Sequence, residues 1–313
     1  MLTDAFGRTI DYLRVSVTTR CNLNCVYCGK QDCEKKDAEL TVAQIETLVR
    51  AFARCGIKKV RITGGEPLVR GDIREIVAAI AHTPGIETLG LTTNGVLLAP
   101  LAKTLFDAGL QSVNISLDST DGSTYRHLTG ADVLQRVLDG IAAAQTAGLS
   151  PIKLNAVLMK GVNADGAGAL IALAKNAPID VRFIELMPFS DAGETDTLRV
   201  TGDELLRQFS FLTPLEGEEK ETARYYTAPG YLGRIGFISP VSHKFCERCN
   251  RVRLLANGSV RLCLAAEETY DLTAYLNDEA ALEKEIRRLI LKKPAAHLFG
   301  SSAPKHGLNR TGG

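Results

Sequence analysis

Strand-like and helix-like segments alternate through the first two thirds of the chain, and this alternation constrains the fold more than any other feature. Six apolar, β-branched segments are predicted strands, and the segments between them have helical periodicity. The predicted strands span residues 13–17, 59–63, 88–93, 112–117, 152–159 and 180–186. Repeated strand-helix units build a parallel sheet, and six of them with short connections make an α/β fold, a partial (β/α)6 TIM-like barrel open on one side.

Capping residues mark the ends of the predicted helices. Thr41 with Gln44, and Asp72 with Glu75, have the spacing of a capping box, and Pro100 suits a first helical turn. Glycine ends helices because it adopts the left-handed conformation without strain. The predicted helix stops are Gly56, Gly109 and Gly148.

The strand-helix pattern ends near residue 190, where a polar loop begins. The sequence therefore predicts a core domain over 1–195 and a smaller α+β domain over 196–313 that covers the open side of the barrel. The predicted elements of the second domain are a helix capped by Thr201 and Glu204, a strand over 233–238, a hairpin of 251–255 with 259–263, and a helix over 279–291.

The composition is that of a soluble globular chain. The chain has 313 residues, of which 45% are hydrophobic and 23% charged. Its 37 basic and 36 acidic residues give a net charge of +1, so no overall field attracts nucleic acid or an acidic membrane. No apolar run approaches the roughly 18 residues of a membrane-spanning helix. We therefore predict no nucleic-acid or membrane partner and a cytoplasmic location, where thiols stay reduced.

Six of the eight cysteines fall into two sets that have the spacing of metal ligands. The N-terminal cysteine set is Cys21, Cys25 and Cys28, with the spacing CxxxCxxC. Three thiolates in a short loop hold three irons of a 4Fe-4S cluster and leave the fourth iron open to a ligand. The alternatives are a structural zinc ion, which usually has four ligands, and a site closed by Cys33 as a fourth ligand.

The C-terminal cysteine set is Cys246, Cys249 and Cys263. Its spacing suits an iron-sulfur cluster and equally suits zinc with His243 as the fourth ligand. Arg251 and Arg253 follow at alternate positions of a predicted strand, so their side chains share one face. A pair of arginines beside a metal site suits a bidentate phosphate clamp, although most charged runs are simply solvated.

Further basic residues lie on predicted strands where an ordinary barrel would carry valine or isoleucine. They are Arg14, Lys59, Arg61, Lys153 and Arg182. Several cations around one cavity indicate a polyanionic substrate such as a triphosphate.

The N-terminal cysteine set, with Tyr27 before its third cysteine, resembles the signature of the radical S-adenosylmethionine (SAM) superfamily. Thr63-Gly64-Gly65-Glu66-Pro67, which ends the second predicted strand, resembles the GGEP motif of that superfamily. The resemblance implies that SAM chelates the open iron and is cleaved to a 5′-deoxyadenosyl radical. The SAM contacts that it implies are Tyr27, Gly64, Gly65, Glu66, Ser116 and Met187.

Motifs along nearly the whole chain resemble one family of that superfamily, the GTP 3′,8-cyclases. They are Phe6-Gly7-Arg8, Tyr12-Leu13-Arg14, Thr92-Thr93-Asn94-Gly95, the segment 182–188, Cys249-Asn250-Arg251-Val252-Arg253 and the terminal Gly312-Gly313. The resemblance implies that the C-terminal cysteine set holds a second 4Fe-4S cluster, whose open iron meets guanine. GTP would be surrounded by Arg14, Lys59, Arg61, Thr92, Lys153, Arg182, Arg251 and Arg253. Residues expected to act in catalysis are Arg182, Gly312 and Gly313.

The family resemblance also implies a reaction and partners. The radical would remove the ribose 3′ hydrogen of GTP, and the carbon radical would attack guanine C8 to give 3′,8-cyclo-7,8-dihydro-GTP, the first step of molybdenum cofactor biosynthesis. The resemblance implies an external electron donor of the flavodoxin or ferredoxin type and a downstream cyclic pyranopterin monophosphate synthase. A homodimer is possible, because the sequence does not give the oligomeric state. The alternatives are a peptide-modifying radical SAM maturase with an auxiliary cluster and a non-enzymatic metal-binding redox protein.

Overall fold

The computed structural model describes residues 1–28, 39–189, 196–216, 222–297, 299 and 307–308. Its first two thirds hold the six predicted strand-helix units. The strands are β1 (Tyr12–Ser16), β2 (Lys59–Thr63), β3 (Thr88–Thr93), β4 (Ser112–Ser116), β5 (Ile152–Val157) and β6 (Ile179–Ile184). The helices are α1 (Val42–Cys55), α2 (Ile73–Ala81), α3 (Ala102–Asp107), α4 (Gly122–Thr129), α5 (Leu134–Ala147) and α6 (Ala167–Ala172). Adjacent strands pair in parallel, which confirms the predicted partial barrel.

The C-terminal third adds strands to both edges of the same sheet. Its elements are α7 (Gly202–Gln208), β7 (Thr213–Pro214), β8 (Arg224–Thr227), β9 (Ile235–Ile238), β10 (Arg251–Leu254), β11 (Ser259–Arg261), β12 (Tyr270–Asp271) and α8 (Glu279–Ile290). Strand β10 pairs in parallel with β1, and β9 pairs in parallel with β6. Within the described residues the sheet order is β12-β11-β10-β1-β2-β3-β4-β5-β6-β9-β8-β7. The C-terminal region thus extends the barrel wall, and the boundary at 195/196 stays a prediction.

The core lies between the sheet and the surrounding helices. Helix α1 buries Ile45, Leu48 and Phe52 on one face, and each such side chain contributes about 1.5 to 3 kcal/mol when it leaves water. On its exposed face, Arg54 pairs with Glu279 of α8, which brings the last helix beside the first. No helix in the described part of the chain has the length and apolar character needed to cross a membrane.

The capping boxes at Thr41 and Thr201 are confirmed. Gly56 and Gly148 end α1 and α5 with left-handed backbone, and Gly109 follows the last residue of α3 with φ 103°. The capping box at Asp72 is wrong. Its carboxylate accepts hydrogen bonds from the Arg70 guanidinium at 2.8 Å and 2.5 Å, so it leaves the helix amides uncapped. Pro100 lies in the turn before α3, outside the first helical turn.

Candidate active site

A cavity of about 380 Å³ lies against one face of the parallel strands. Alternate residues of the strands face it, because successive side chains of a strand point to opposite sides. Strand β1 contributes Tyr12 and Arg14, whereas Leu13 and Val15 between and after them are fully buried. The other strands follow the same alternation, with Lys59 and Arg61, Lys153 and Asn155, and Arg251 and Arg253 in the lining.

Strand register places three arginines side by side. Arg14 of β1 is paired with Arg61 of β2 on one side and with Arg253 of β10 on the other. Burial lowers the pKa of Arg14 to about 9; the hydroxyl of Tyr12 opposes the shift, and the neighbouring arginines add to it. Burial and Arg251 likewise lower the pKa of Arg253 to about 10. Such crowding costs free energy, and an anion bound in the cavity would relieve it.

Gly90 makes room for one of these arginines. It lies opposite Arg61 in the neighbouring strand, and a Cβ at this position would stand 2.7 Å from Arg61 Nη2. In the space that the glycine leaves, Arg61 donates hydrogen bonds to the Leu91 carbonyl at 3.0 Å and to the Tyr12 hydroxyl at 2.8 Å. The glycine in the middle of β3 therefore serves the site.

Tyr12 lies among the cations. Its ring is 4.8 Å below the Lys59 ammonium. Burial opposes ionisation of its hydroxyl, but the charges of Arg61, Arg14, Lys59 and Arg251 outweigh burial and lower the pKa to about 7. Near neutral pH this phenol is therefore partly ionised, whereas an ordinary tyrosine is not.

The opposite side of the cavity is formed by β5, β6 and β8. Arg182 Nε donates to the Asn155 side-chain oxygen at 2.9 Å, and burial lowers the pKa of this arginine. Lys153 donates to the Tyr225 hydroxyl at 3.2 Å and lies 3.7 Å from Asp180. Strand β8, which carries Tyr225, belongs to the C-terminal region, so both parts of the chain build this wall.

The cavity is strongly electropositive. Among the described residues that line it, only Asp118 carries a carboxylate. The cationic lining residues are Arg14, Lys59, Arg61, Lys153, Arg182, Arg251, Arg253 and Lys293. Four buried polar atoms of the lining, Thr92 Oγ1, Asn114 Oδ1, Arg251 Nε and Arg253 Nε, have no hydrogen-bond partner within the described part of the chain. Unpartnered buried polar atoms are costly and indicate a polar ligand.

The C-terminal cysteine set adjoins these cations. Cys246, Cys249 and Cys263 all line the cavity, the first two at a short 3₁₀ turn before β10 and the third after β11. Burial opposes ionisation of Cys249, yet Lys293 and Arg251 lower its pKa overall. The alternative zinc ligand His243 is directed elsewhere, because its Nε2 lies 2.8 Å from an oxygen of Asp203.

The N-terminal cysteine set lies in the loop after β1. This loop is fixed to the end of α4, since the amides of Asn24 and Val26 donate to the carbonyls of Thr129 and Leu128 at 3.0 Å. Burial raises the pKa of Cys21 and Cys25, and Asp118 raises that of Cys25 further. The alternative ligand Cys33 lies outside the described residues, as do Gly312 and Gly313.

Gly64 and Gly65 pack directly against the chain that enters this loop. A Cβ on Gly64 would stand 2.7 Å from the Thr18 carbonyl oxygen, and one on Gly65 would stand 2.3 Å from that of Arg20. The motif therefore requires glycine for the protein's own packing. Glu66, which follows, is 1% exposed, and its carboxylate accepts hydrogen bonds from Thr93 Oγ1 at 2.7 Å and the Asn94 amide at 2.6 Å. Burial raises the pKa of Glu66 to about 7.

Tyr27 connects the N-terminal loop to the cavity. Its hydroxyl donates to Asp118 Oδ2 at 2.6 Å, and the Val157 amide donates to the other oxygen of that carboxylate at 2.8 Å. Burial raises the pKa of Asp118 to about 6. Ser116 and Met187, at the ends of β4 and β6, lie in the same lining.

Both cysteine sets fit iron-sulfur clusters by the chemistry of their donors. The N-terminal set has its three cysteines within eight residues and the C-terminal set within 18, and cysteine thiolates are the ligands that such clusters take. In the described ranges there is no group of three or more His, Cys, Asp or Glu side chains that could hold a metal ion, so the fit rests on the type and spacing of the donors. The unpartnered polar atoms and cations in the cavity fit a nucleotide.

Comparison with known proteins agrees with this arrangement. The family model of the Radical SAM superfamily matches residues 15–174, and that of Molybdenum Cofactor Synthesis C matches 179–299. The GTP 3′,8-cyclase of Alkaliphilus oremlandii is 42% identical over 94% of this chain and 93% of its own length. That of Geobacter sulfurreducens is 43% identical over 97% of this chain and 96% of its own length.

The solved structure of Streptococcus suis SuiB bound to S-adenosylmethionine shares the fold, with a TM-score of 0.64 at 15% identity over 96% of this chain and 76% of SuiB. The family model matches 160 of the 313 residues, which shows that the chain belongs to the radical SAM superfamily. Within that superfamily, its close and nearly full-length relatives make it a member of the GTP 3′,8-cyclase family.

Several residues of the site escaped the sequence analysis, and four of them set its charge or its packing. They are Tyr12, Gly90, Asp118 and Lys293. A signal existed for Tyr12, because it stands two positions before Arg14 on the same strand and shares its face. For the other three, the sequence alone gave no signal, since their roles depend on contacts made across strands or across the whole chain.

Proposed function

We propose that this chain converts GTP to 3′,8-cyclo-7,8-dihydro-GTP by radical SAM chemistry, the first step of molybdenum cofactor biosynthesis. The observation that carries the proposal is the cavity whose described lining has eight cations and one carboxylate beside three cysteines. GTP is a tetra-anion with a planar base, and the cavity offers charge for the first and unpartnered polar atoms for the second. Relatives named GTP 3′,8-cyclase over nearly the whole chain support it.

The proposed cofactors are SAM and two 4Fe-4S clusters, one on each cysteine set. Cys21, Cys25 and Cys28 would hold the cluster that supplies the electron for cleaving SAM to a 5′-deoxyadenosyl radical, and Cys246, Cys249 and Cys263 would hold the one that binds guanine. Tyr27, held by Asp118, together with Ser116 and Met187, would contact SAM from the cavity side. Gly64, Gly65 and Glu66 would act mainly by fixing the loop, because their surroundings are already filled by protein.

The proposed GTP contacts divide between two walls. Arg14, Arg61 and Arg253 stand in one row, and Tyr12, Lys59 and Arg251 stand in the next. These two rows provide the charge that a triphosphate needs. On the opposite wall lie Lys153 and Arg182, with Arg182 oriented by Asn155. The Thr92 hydroxyl, which has no partner among the described residues, would meet the sugar or base. Because these side chains hold GTP on both walls, the ribose 3′ hydrogen would be presented in one orientation.

The tail and the partners complete the proposal. Gly312 and Gly313 would act in catalysis from the chain's end, and one described contact supports this: the Leu308 amide donates to the Cys28 carbonyl at 3.0 Å, beside the N-terminal set. We also propose an external electron donor of the flavodoxin or ferredoxin type and a cyclic pyranopterin monophosphate synthase that uses the product. The cytoplasmic location and a homodimer stay predictions.

Deuterium transfer tests the proposed function. The full chain, reconstituted anaerobically with iron and sulfide, is incubated with SAM, a reductant and GTP deuterated at C3′. We expect deuterium to appear in 5′-deoxyadenosine, together with a nucleotide that has the mass of GTP but a different retention time. GTP deuterated at C2′ is the matched control and should transfer none. Formation of unlabelled 5′-deoxyadenosine with unchanged GTP would contradict the proposal.

A further inference from the structure

A single buried ammonium joins the two segments that carry Cys249 and Cys263. Lys293 follows α8 and is 3% exposed. Its Nζ donates to the carbonyl of Arg251 at 2.8 Å and to that of Leu262 at 2.6 Å. Leu262 immediately precedes Cys263, and Arg251 stands two residues after Cys249. The ammonium therefore holds β10, the strand that faces the proposed GTP site, in a fixed position relative to the segments of Cys249 and Cys263.

The charge of Lys293 is compensated in an unusual way. No carboxylate of the described residues forms an ion pair with it. Burial lowers the pKa of this ammonium, and the thiols of Cys249 and Cys263, when ionised, oppose that shift. An isolated ammonium is expensive to bury. Its favourable partner is therefore the negative charge that the cysteine set carries.

Arg8 provides a contrast within the same site. It also donates to backbone carbonyls around the set, those of Cys246 at 2.8 Å and Pro294 at 2.7 Å. However, its charge is neutralised by the buried carboxylate of Asp4, which lies 2.6 Å from Nε. Arg8 thus fixes the loop mechanically without adding net charge, whereas Lys293 does both.

We propose that Lys293 is a positioning residue that holds Arg251 and the C-terminal cysteine set together and places a fixed positive charge beside the cluster. The inference rests on the proposed function only for the assignment of a cluster to that set. A nearby cation stabilises the cluster state with one more electron, because that state is more negative. Lys293 therefore makes the C-terminal cluster easier to reduce.

The test uses full-length chain carrying Cys21→Ala, Cys25→Ala and Cys28→Ala, so that only the C-terminal cluster gives an electron paramagnetic resonance signal. In this background Lys293→Met should shift the reduction midpoint of the cluster to a more negative potential and should raise the Kd for GTP several-fold. Lys293→Arg keeps the positive charge and should restore most of the midpoint potential and most of the GTP affinity. The double variant Asp4→Asn with Arg8→Met removes hydrogen bonds from the same loop at constant charge, and should lower the unfolding temperature without moving the potential.

Two results would overturn the inference. One is a Lys293→Met protein with the parent's midpoint potential, and the other is an equal shift in the Asp4→Asn, Arg8→Met protein, which would make the effect purely structural. If the Lys293→Met protein loses the cluster altogether, the iron content of the Lys293→Arg protein decides. Iron retained in Lys293→Arg supports the inference, and iron lost from both variants opposes it. A parent chain without any C-terminal cluster would instead overturn the proposed function.

Discussion

The two cysteine sets have the same ligands in opposite electrostatic surroundings. Near the N-terminal set lie the buried carboxyls of Glu66 and Asp118, and the pKa of Cys25 is raised by burial and by Asp118. Near the C-terminal set lie Lys293, Arg251 and Arg253, and these cations lower the pKa of Cys249 against its burial.

The difference matches the two proposed ligands. SAM carries a sulfonium and an ammonium, so acidic neighbours favour it, whereas GTP carries four negative charges and needs cations. The two cysteine sets would therefore serve different ligands because the charges around them differ. We infer that these charges favour SAM beside the N-terminal set and GTP beside the C-terminal set.

The sharpest test of this division removes one cysteine from each set. Cys25→Ala should abolish 5′-deoxyadenosine formation, because no other described loop presents three cysteines beside Gly64 and Gly65. Cys249→Ala should keep SAM cleavage but lose cyclisation. Chromatography of both products and iron analysis check this. Each variant should retain the iron of the other set, and a Cys25→Ala protein that cleaves SAM at the parental rate would break the comparison.

The cationic side of the comparison depends on Arg251. Arg251→Ala should weaken GTP binding roughly tenfold or more, since a hydrogen bond to a charged group contributes about 1.5 to 3 kcal/mol. Calorimetry measures the Kd, and iron content should not change. Arg248→Ala is the matched control, because that arginine is exposed and does not line the cavity. Equal GTP affinities in the parent and the Arg251→Ala protein would mean that these cations form an ordinary solvated surface and do not bind GTP.

A substitution at Gly90 tests whether the row of arginines depends on the space beside Arg61. Gly90→Ala would push a methyl group against the Arg61 guanidinium, and overpacking of this kind costs about 1 to 3 kcal/mol. We expect a lower unfolding temperature and a several-fold higher Kd for GTP, with SAM cleavage retained. Gly71→Ala is the control, since a Cβ there meets nothing within 4 Å. If both variants bind GTP alike, Arg61 does not depend on the space at Gly90.

The smallest expected effect is a pH dependence at Tyr12. Its folded-state pKa of about 7 lies below the usual 10.0, so the phenolate adds negative charge to the cavity as pH rises through about 7. GTP binding should therefore weaken between about pH 6 and about pH 8 more in the parent than in Tyr12→Phe. The lowered pKa of Tyr12 also stabilises the fold. This contribution is complete above the pKa of the phenol in the unfolded chain and is lost as pH falls through its pKa in the folded protein.

Calorimetric titration of GTP at both pH values measures the Tyr12 effect. The protonation of GTP itself changes in the same way for parent and variant and therefore cancels in the difference. Identical pH slopes would contradict the assignment of a shifted phenol to the cavity.

The barrel core was predictable because its signals are local. The alternation in 59–63 and the capping box at Thr41 each reside in a few neighbouring residues, and the structure has both. The failed cap at Asp72 has an equally clear cause: Arg70, two residues earlier, competes for the carboxylate with two charged hydrogen bonds. No spacing rule detects such competition.

The site was predictable only in part. The cationic residues of β1 and β2 were identified because they interrupt apolar strands, and register brings them together. The parallel pairing of β9 and β10 with the barrel edges was missed, because nothing in a short strand indicates which distant strand it will join. Gly90 indicates a weak strand in isolation, and its meaning depends on Arg61 across the sheet.

The pairing of β1 with β10 has a consequence for how the chain is made. Hydrogen-bonded neighbours at this seam, such as Asp11 and Asn250, are 239 residues apart. A ribosome adding about 5 to 20 residues per second needs roughly 10 to 50 s to supply the second of them. Throughout that time one edge of β1 has no partner strand, and the loop with the N-terminal cysteines directly follows this strand. We expect iron loading to follow completion of the sheet, and chains released early to aggregate through this edge.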